Sequence, residues 1–178
     1  MTEMKPICYL DVDDTLLRFP NSEEPPGAAV GAWDLINFLN KHYEVRWLTC
    51  WCPCGDMLIE RAEMLATLLN YQGYIGSSGR LVLTDTIELE SGYKLNKGED
   101  WDEKIELLRS FANPLSFKND KTDAIDFDRP FIWIEDEILP IESMVLDSRG
   151  MLDCWVPCNV SVDPLRVTEV LTMLRSKV

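Results

Sequence analysis

Ile7-Cys8-Tyr9-Leu10-Asp11-Val12-Asp13-Asp14-Thr15-Leu16 is the stretch on which the reading of this chain turns. A continuous apolar run that ends in carboxylates is the pattern of a strand buried on both faces, with its acids at the carboxyl end. Downstream, Arg18 to Gly27 holds Pro20, Pro25, Pro26 and Gly27, which punctuate a loop. Ala29, Trp33, Ile36 and Leu39 then fall on one helical stripe. The same order recurs at once. Tyr43 to Leu48 reads as a second strand ending at Thr49, Cys50-Trp51-Cys52-Pro53-Cys54-Gly55 as a loop, and Leu58, Ala62, Leu65 and Leu69 as a helix face. Two strand–loop–helix units in series predict a parallel sheet.

Further along, Gly73, Gly76 and Gly79 mark loops, and Arg80 to Thr84 reads as a short strand. Asp100 and Glu103 have capping-box spacing, which predicts a helix over 101–112. Pro130-Phe131-Ile132-Trp133-Ile134 runs into Glu135-Asp136-Glu137 and so repeats the opening pattern of an apolar strand ending in acids. Cys154-Trp155-Val156 reads as a last strand, and Pro164 opens an amphipathic helix through Val167, Val170, Leu171 and Leu174.

At 178 residues the chain has the length of one domain, with 72–117 as the place for a small insertion. Its 46% hydrophobic and 27% charged content is that of a globular protein, which excludes disordered and collagen-like classes. The formal charge of −14 repels phosphate backbones and anionic membranes, so nucleic acid is disfavoured as a partner. The sequence shows neither a secretory leader nor an apolar run of about 18 residues, so the expectation is a cytoplasmic protein without a membrane partner and with reduced cysteines.

Three apolar strands therefore end in polar groups: Asp11, Asp13 and Thr15 after the first, Thr49 after the second, and Glu135 and Asp136 after the later one. In an open α/β sheet the carboxyl ends of parallel strands share one edge, where ligand sites form. Carboxylates gathered there repel one another, and shifted pKa values or a hard cation must relieve the repulsion. Magnesium, which takes oxygen ligands and commonly one or two carboxylates plus a phosphate, suits such a cleft.

Asp11-Val12-Asp13-Asp14-Thr15 after a buried strand resembles the first motif, Asp-x-Asp-x-Thr, of the haloacid dehalogenase (HAD) superfamily of phosphotransferases. Trp47-Leu48-Thr49 is similar to its second motif, Lys121 or Lys118 is placed like its third-motif lysine, and Glu135-Asp136 like its fourth-motif acids. The segments Trp47 to Trp51, Arg129-Pro130 and Trp133 to Glu137 are similar to small HAD-like domains, including ones described in RNA-repair proteins. The resemblance implies a three-layer Rossmann-like HAD fold with a central, mainly parallel sheet and little or no cap.

It also implies a Mg²⁺-dependent phosphatase. Asp11 would attack phosphorus to give an aspartyl-phosphate, and Asp13 would protonate the leaving oxygen and then activate water. Thr49 would hold the phosphoryl oxygens, and a lysine would offset the negative charge of nucleophile and phosphate. Lys121 is preferred to Lys118 because it opens Thr122-Asp123-Ala124-Ile125, which reads as a short helical turn. Asp136, or less favourably Glu135, would complete the Mg²⁺ site with the Asp11 carboxylate and the Asp13 backbone carbonyl. Thr15, Thr49 and Trp51 are the candidate substrate contacts, Trp51 by stacking. By resemblance to capless members, an open site implies a macromolecular or extended phosphate ester, a conclusion that the charge of −14 opposes if the ester is nucleic acid.

Other readings stand beside this one. An Asx-rich turn would explain Asp11 to Thr15 without chemistry. A calcium loop fails on spacing, with Leu16 where glycine is needed and Ser22 where the bidentate glutamate belongs. Cys50, Cys52, Cys54, Cys154 and Cys158 would make a zinc site or a redox pair, though the tight Cys-x-Cys-x-Cys run departs from usual zinc spacing. His42 is the one histidine, which excludes three-histidine metal centres within the chain and suits a helix end. Trp47 and Trp133 read as core, and 120–128 as a solvated acidic loop. The alternatives in function are a catalytically silent binding or regulatory module on the same fold and a cysteine–zinc interaction protein.

Overall fold

The computed structural model describes residues 4–19, 27–52, 57–70, 73–75, 81–83, 100–111 and 120–178. In chain order these form β1 (Ile7–Leu10), the two-residue strands β2 (Leu17–Arg18) and β3 (Gly27–Ala28), α1 (Ala32–His42), β4 (Glu44–Trp47) and α2 (Ile59–Asn70). Next come β5 (Gly73–Ile75), β6 (Leu81–Leu83), α3 (Trp101–Ser110), β7 (Phe131–Glu135), α4 (Pro140–Ser148), β8 (Trp155–Pro157) and α5 (Arg166–Arg175). The central sheet has four strands in the order β4-β1-β7-β8, and each neighbouring pair is parallel. β2 with β3, and β5 with β6, are small antiparallel pairs.

Alternation along β1 sorts the core into two layers. Ile7 and Tyr9 face one way with Phe131 and Trp133, against Leu146 of α4 and Ala124 and Ile125 beside it. Cys8 and Leu10 face the other way with Val45, Trp47, Ile134 and Val156, among buried side chains from α1, α2, α3 and α5. The result is an α/β protein of the Rossmann-like three-layer kind, as the sequence pattern predicts. Trp47 and Trp133 are fully buried in it, and the Trp47 indole N–H donates to the Leu108 carbonyl at 2.8 Å, tying α3 to the edge strand.

Register positions the chemistry. Leu10 pairs with Trp47 on one side and with Ile134 on the other, so Asp11, Leu48 and Glu135 leave the sheet side by side. The first helix begins three residues later than the Ala29 stripe suggests, because Gly31 adopts φ 82 and turns the chain into Ala32. A Cβ there would stand 3.1 Å from the Thr168 side chain, so a larger residue would press on α5 and strain the left-handed backbone as well. His42 is the last residue of α1, its ring 4.6 Å from that of Phe38 one turn back.

Two local expectations change. Asp100 precedes α3, but its carboxylate makes no capping bond and instead pairs with Lys104 at 3.0 Å, one turn on. α4 has no counterpart in the sequence reading, because Leu139, Ile141 and Met144 around it are exposed while Glu142 and Leu146 are buried, which breaks the apolar stripe. Much of the candidate insertion at 72–117 lies outside the described residues, as do Cys54 and Lys118.

Candidate active site

Asp11 extends β1 by one further ladder bond, its N–H donating to the Ile134 carbonyl at 3.1 Å. The chain then doubles back. The Val12 carbonyl accepts from the N–H groups of Thr15, Leu16 and Leu17, and Asp14 takes a left-handed φ of 51. That conformation is unfavourable for a residue with a Cβ but most accessible to Asn and Asp. It is held by the Asp14 carboxylate accepting from the Phe19 N–H at 3.3 Å and from the Ser161 hydroxyl, and by the Asp14 carbonyl accepting from the Val160 N–H at 2.8 Å. The motif loop is thereby fastened to the segment between β8 and α5.

Lys121 lies in a 3₁₀ turn, Lys121–Ala124, on the Tyr9 side of the sheet. The Asp120 carboxylate accepts from the Thr122 N–H at 2.9 Å and starts this turn. The buried Glu142 of α4 anchors it: one carboxylate oxygen accepts from the Lys121 N–H at 2.9 Å, the other from the Leu139 N–H at 2.7 Å. The second bond is the return half of a capping box, so the start of α4 and the placement of Lys121 share one side chain.

The Lys121 ammonium donates to Asp11 Oδ1 at 3.0 Å and to Glu135 Oε2 at 2.6 Å. The Trp133 indole N–H gives Glu135 Oε2 a second donor at 3.1 Å. Asp11 and Glu135 are almost wholly buried, and Asp136 joins them so that one oxygen from each of the three carboxylates lies within 4.8 Å of the others. Burial raises the Asp11 carboxyl above its ordinary range, with Lys121 pulling the opposite way and the Asp13 charge adding to the rise. Glu135 is raised for the same first reason and then by the charge of Asp11. Burial opposes the charge on Lys121, yet the Asp11 and Glu135 carboxylates outweigh it and the ammonium is held firmly protonated.

With all three carboxylates ionised, one ammonium leaves a formal excess of two negative charges, 3 − 1 = 2. Oxygen donors of this number and charge fit a hard divalent cation, which would discharge the excess without a proton. Lys121 takes one oxygen of Asp11 and, together with Trp133, one oxygen of Glu135, so each of the three carboxylates keeps an oxygen to offer. The Asp13 carboxylate stands apart from this group and accepts instead from the Trp51 indole N–H at 2.7 Å and the Cys50 thiol at 3.3 Å.

Of the sequence-derived candidates, Asp11, Lys121, Glu135 and Asp136 come together at the carboxyl edge of the sheet. Thr49 follows β4 on the same edge; it is buried, and its hydroxyl accepts from the Trp51 N–H at 3.4 Å. Thr15 is fully buried and its hydroxyl has no hydrogen-bond partner, so in this conformation it offers no atom to a bound molecule. Trp51 is only 8% exposed and uses its indole on Asp13, which leaves little ring face for stacking. Sequence reasoning missed Glu142, Trp133 as a donor to Glu135, and Arg61, whose guanidinium donates to the Trp51 carbonyl at 3.1 Å and steadies the loop after Thr49. The capping-box spacing from Leu139 to Glu142 was the one available signal, and its first member is not a capping residue type.

Cys8, Cys50, Cys154 and Cys158 are free thiols, and among the described residues no group of three cysteines lies close enough to share an ion. Burial raises the pKa of Cys8, Cys50, Cys154 and Cys158, with the Asp13 hydrogen bond adding to the rise at Cys50. Cys8 and Cys158 are buried, and all four thiols are held protonated rather than poised as thiolates. No helix among the described residues is long and apolar enough to cross a membrane. Comparison of the chain with family models, curated proteins and solved structures finds no match.

Proposed function

We propose that this chain is a Mg²⁺-dependent phosphohydrolase that cleaves phosphate monoesters through an aspartyl-phosphate on Asp11. The observation that carries the reading is the bridge from Lys121 to Asp11 and Glu135, with Asp136 beside them, at the carboxyl edge of a parallel sheet. An ammonium locked between two buried carboxylates is costly to build and is spent where charge must be managed.

Asp11 Oδ forms a bond to phosphorus as the bond to the leaving oxygen breaks, and Asp13 gives that oxygen a proton. Water then attacks the phosphoaspartate, Asp13 takes back a proton, and the Asp11–phosphorus bond breaks to release phosphate. Lys121 holds Asp11 in place and offsets the negative charge that accumulates as the phosphoryl group approaches. Asp11 and Asp136, with the Asp13 carbonyl, would hold the Mg²⁺, which supplies charge neutralisation and orientation of the phosphoryl oxygens.

The test is hydrolysis of p-nitrophenyl phosphate by purified protein with Mg²⁺, with EDTA, and with Asp11→Asn. Activity that needs Mg²⁺ and disappears in Asp11→Asn is expected. Turnover that survives Asp11→Asn refutes the mechanism, and no turnover in the wild type over a panel of monoesters turns the reading to a silent module.

A further inference from the structure

Asp13 is held at both carboxylate oxygens, and the two holds differ in kind. Oδ1 accepts from the Trp51 indole at 2.7 Å, and that ring is 8% exposed within the core cluster. Oδ2 accepts from the Cys50 thiol at 3.3 Å, and Cys50 is exposed. An indole N–H donates only and cannot take a proton from a carboxyl, whereas a thiol is a weak donor that a better partner displaces. The loop that carries both donors is fixed in turn: the Trp51 N–H donates to the Thr49 hydroxyl at 3.4 Å, and Arg61 donates to the carbonyls of Cys50 and Trp51 at 3.4 and 3.1 Å.

We propose that Trp51 is a positioning residue that fixes Asp13 by its Oδ1, leaving Oδ2 as the oxygen that exchanges a proton with the leaving group, with Cys50 as its replaceable resting partner. This rests on the phosphohydrolase reading. Once substrate displaces the thiol, Oδ2 takes up a proton from solvent, and in the first half-reaction that proton passes to the leaving oxygen as its bond to phosphorus breaks and the Asp11 bond forms. In the second, Oδ2 takes a proton from the attacking water as the Asp11 bond breaks and returns it to solvent when the thiol contact re-forms, so Asp13 ends as it began. Oδ1 stays with the indole throughout. Trp51 therefore acts through Asp13 and not by touching the substrate.

The role is read from leaving-group dependence. kcat/KM covers steps up to formation of the phosphoaspartate, where an alkyl leaving group needs a proton and a 2,4-dinitrophenolate does not. Trp51→Phe keeps an aromatic ring and removes the donor together with the five-membered ring, so the comparison of leaving groups separates the lost donor from lost packing. The substitution is expected to lower kcat/KM for an alkyl phosphate by roughly tenfold or more, a fraction of the usual general-acid contribution, and to lower that for 2,4-dinitrophenyl phosphate at least fivefold less. Cys50→Ala is expected to lower the alkyl value less than Trp51→Phe does.

Equal losses on both substrates, or a larger loss in Cys50→Ala than in Trp51→Phe, overturn the proposal. The contact itself is read without turnover. The Trp51 indole ¹H–¹⁵N resonance, assigned by its absence in Trp51→Phe, is expected to move upfield in Asp13→Ala, and an unmoved resonance overturns the proposal on its own. A moved resonance with no wild-type turnover overturns the function and the catalytic role together while leaving the hydrogen bond established, so the two failures are distinguishable.

Discussion

Removing the shared ammonium, by Lys121→Met, should destabilise the fold in a pH-dependent way. The methionine keeps most of the aliphatic stem and deletes one charge that faces Asp11 at 3.0 Å and Glu135 at 2.6 Å. At an effective dielectric of about 20, each of those attractions is worth about 5 to 6 kcal/mol before desolvation is subtracted. The net loss for deleting one partner of a buried ion pair is about 3 to 5 kcal/mol. For a chain of this size that corresponds to a fall in Tm of about 6 to 20 °C.

The sign with pH follows from the carboxylates. Asp11 and Glu135 are raised above their ordinary values in the folded protein, so the folded state binds more protons than the unfolded state in the window between those values. Stability falls as pH rises through that window, and without Lys121 the fall is steeper because nothing opposes the repulsion. Thermal unfolding followed by near-UV circular dichroism at about pH 5 and pH 8 should give a larger gap between wild type and Lys121→Met at the higher value. A gap below about 1 kcal/mol that does not change with pH would refute the argument that this ammonium holds the two carboxylates together.

The same proton ledger predicts that Mg²⁺ raises the Tm of the wild type more at pH 8 than at pH 5, because the ion competes with protons for Asp11, and that Asp136→Ala abolishes most of the rise. Isothermal titration at both pH values checks it; an undiminished Mg²⁺ response in Asp136→Ala counts against the assigned ligand set. Glu142→Ala should cost about 3 kcal/mol, since two backbone N–H groups lose a charged acceptor, and should lower turnover because the Lys121 turn loses its anchor. Denaturant unfolding and steady-state kinetics on the same preparation read both. Trp47→Phe should cost about 2 kcal/mol by urea unfolding, from the lost bond to Leu108 and the space left beside Phe111, without changing KM.

The site was legible in sequence where each residue depends on a single strand and illegible where it depends on a pairing. Asp11 and Glu135 announce themselves because four or five apolar residues must be buried before them, which fixes where each strand stops. Lys121 was selected over Lys118 only by the short turn that follows it; what holds it is Glu142, 21 residues on in an unpredicted helix. Trp51 shows the limit most clearly. A tryptophan in a loop after a motif residue suggests stacking on a ligand, but its indole lies 38 residues from the carboxylate it serves, and no periodicity encodes that distance.

The charge of the chain and the chemistry proposed for it meet at one point. A protein of formal charge −14 repels a phosphate ester at long range, and three carboxylates sharing a single ammonium add negative charge at close range. Lys121 cannot reverse this, because Asp11 and Glu135 already hold it. An anionic substrate can approach Asp11 only once a divalent cation has turned the local excess into balance, so the order of binding should be Mg²⁺ first and ester second. In Mg²⁺-free buffer inorganic phosphate should show no measurable affinity for the protein, and affinity should appear as the ion is titrated in. Phosphate binding of equal strength in EDTA would show that the negative cluster is not what a substrate meets.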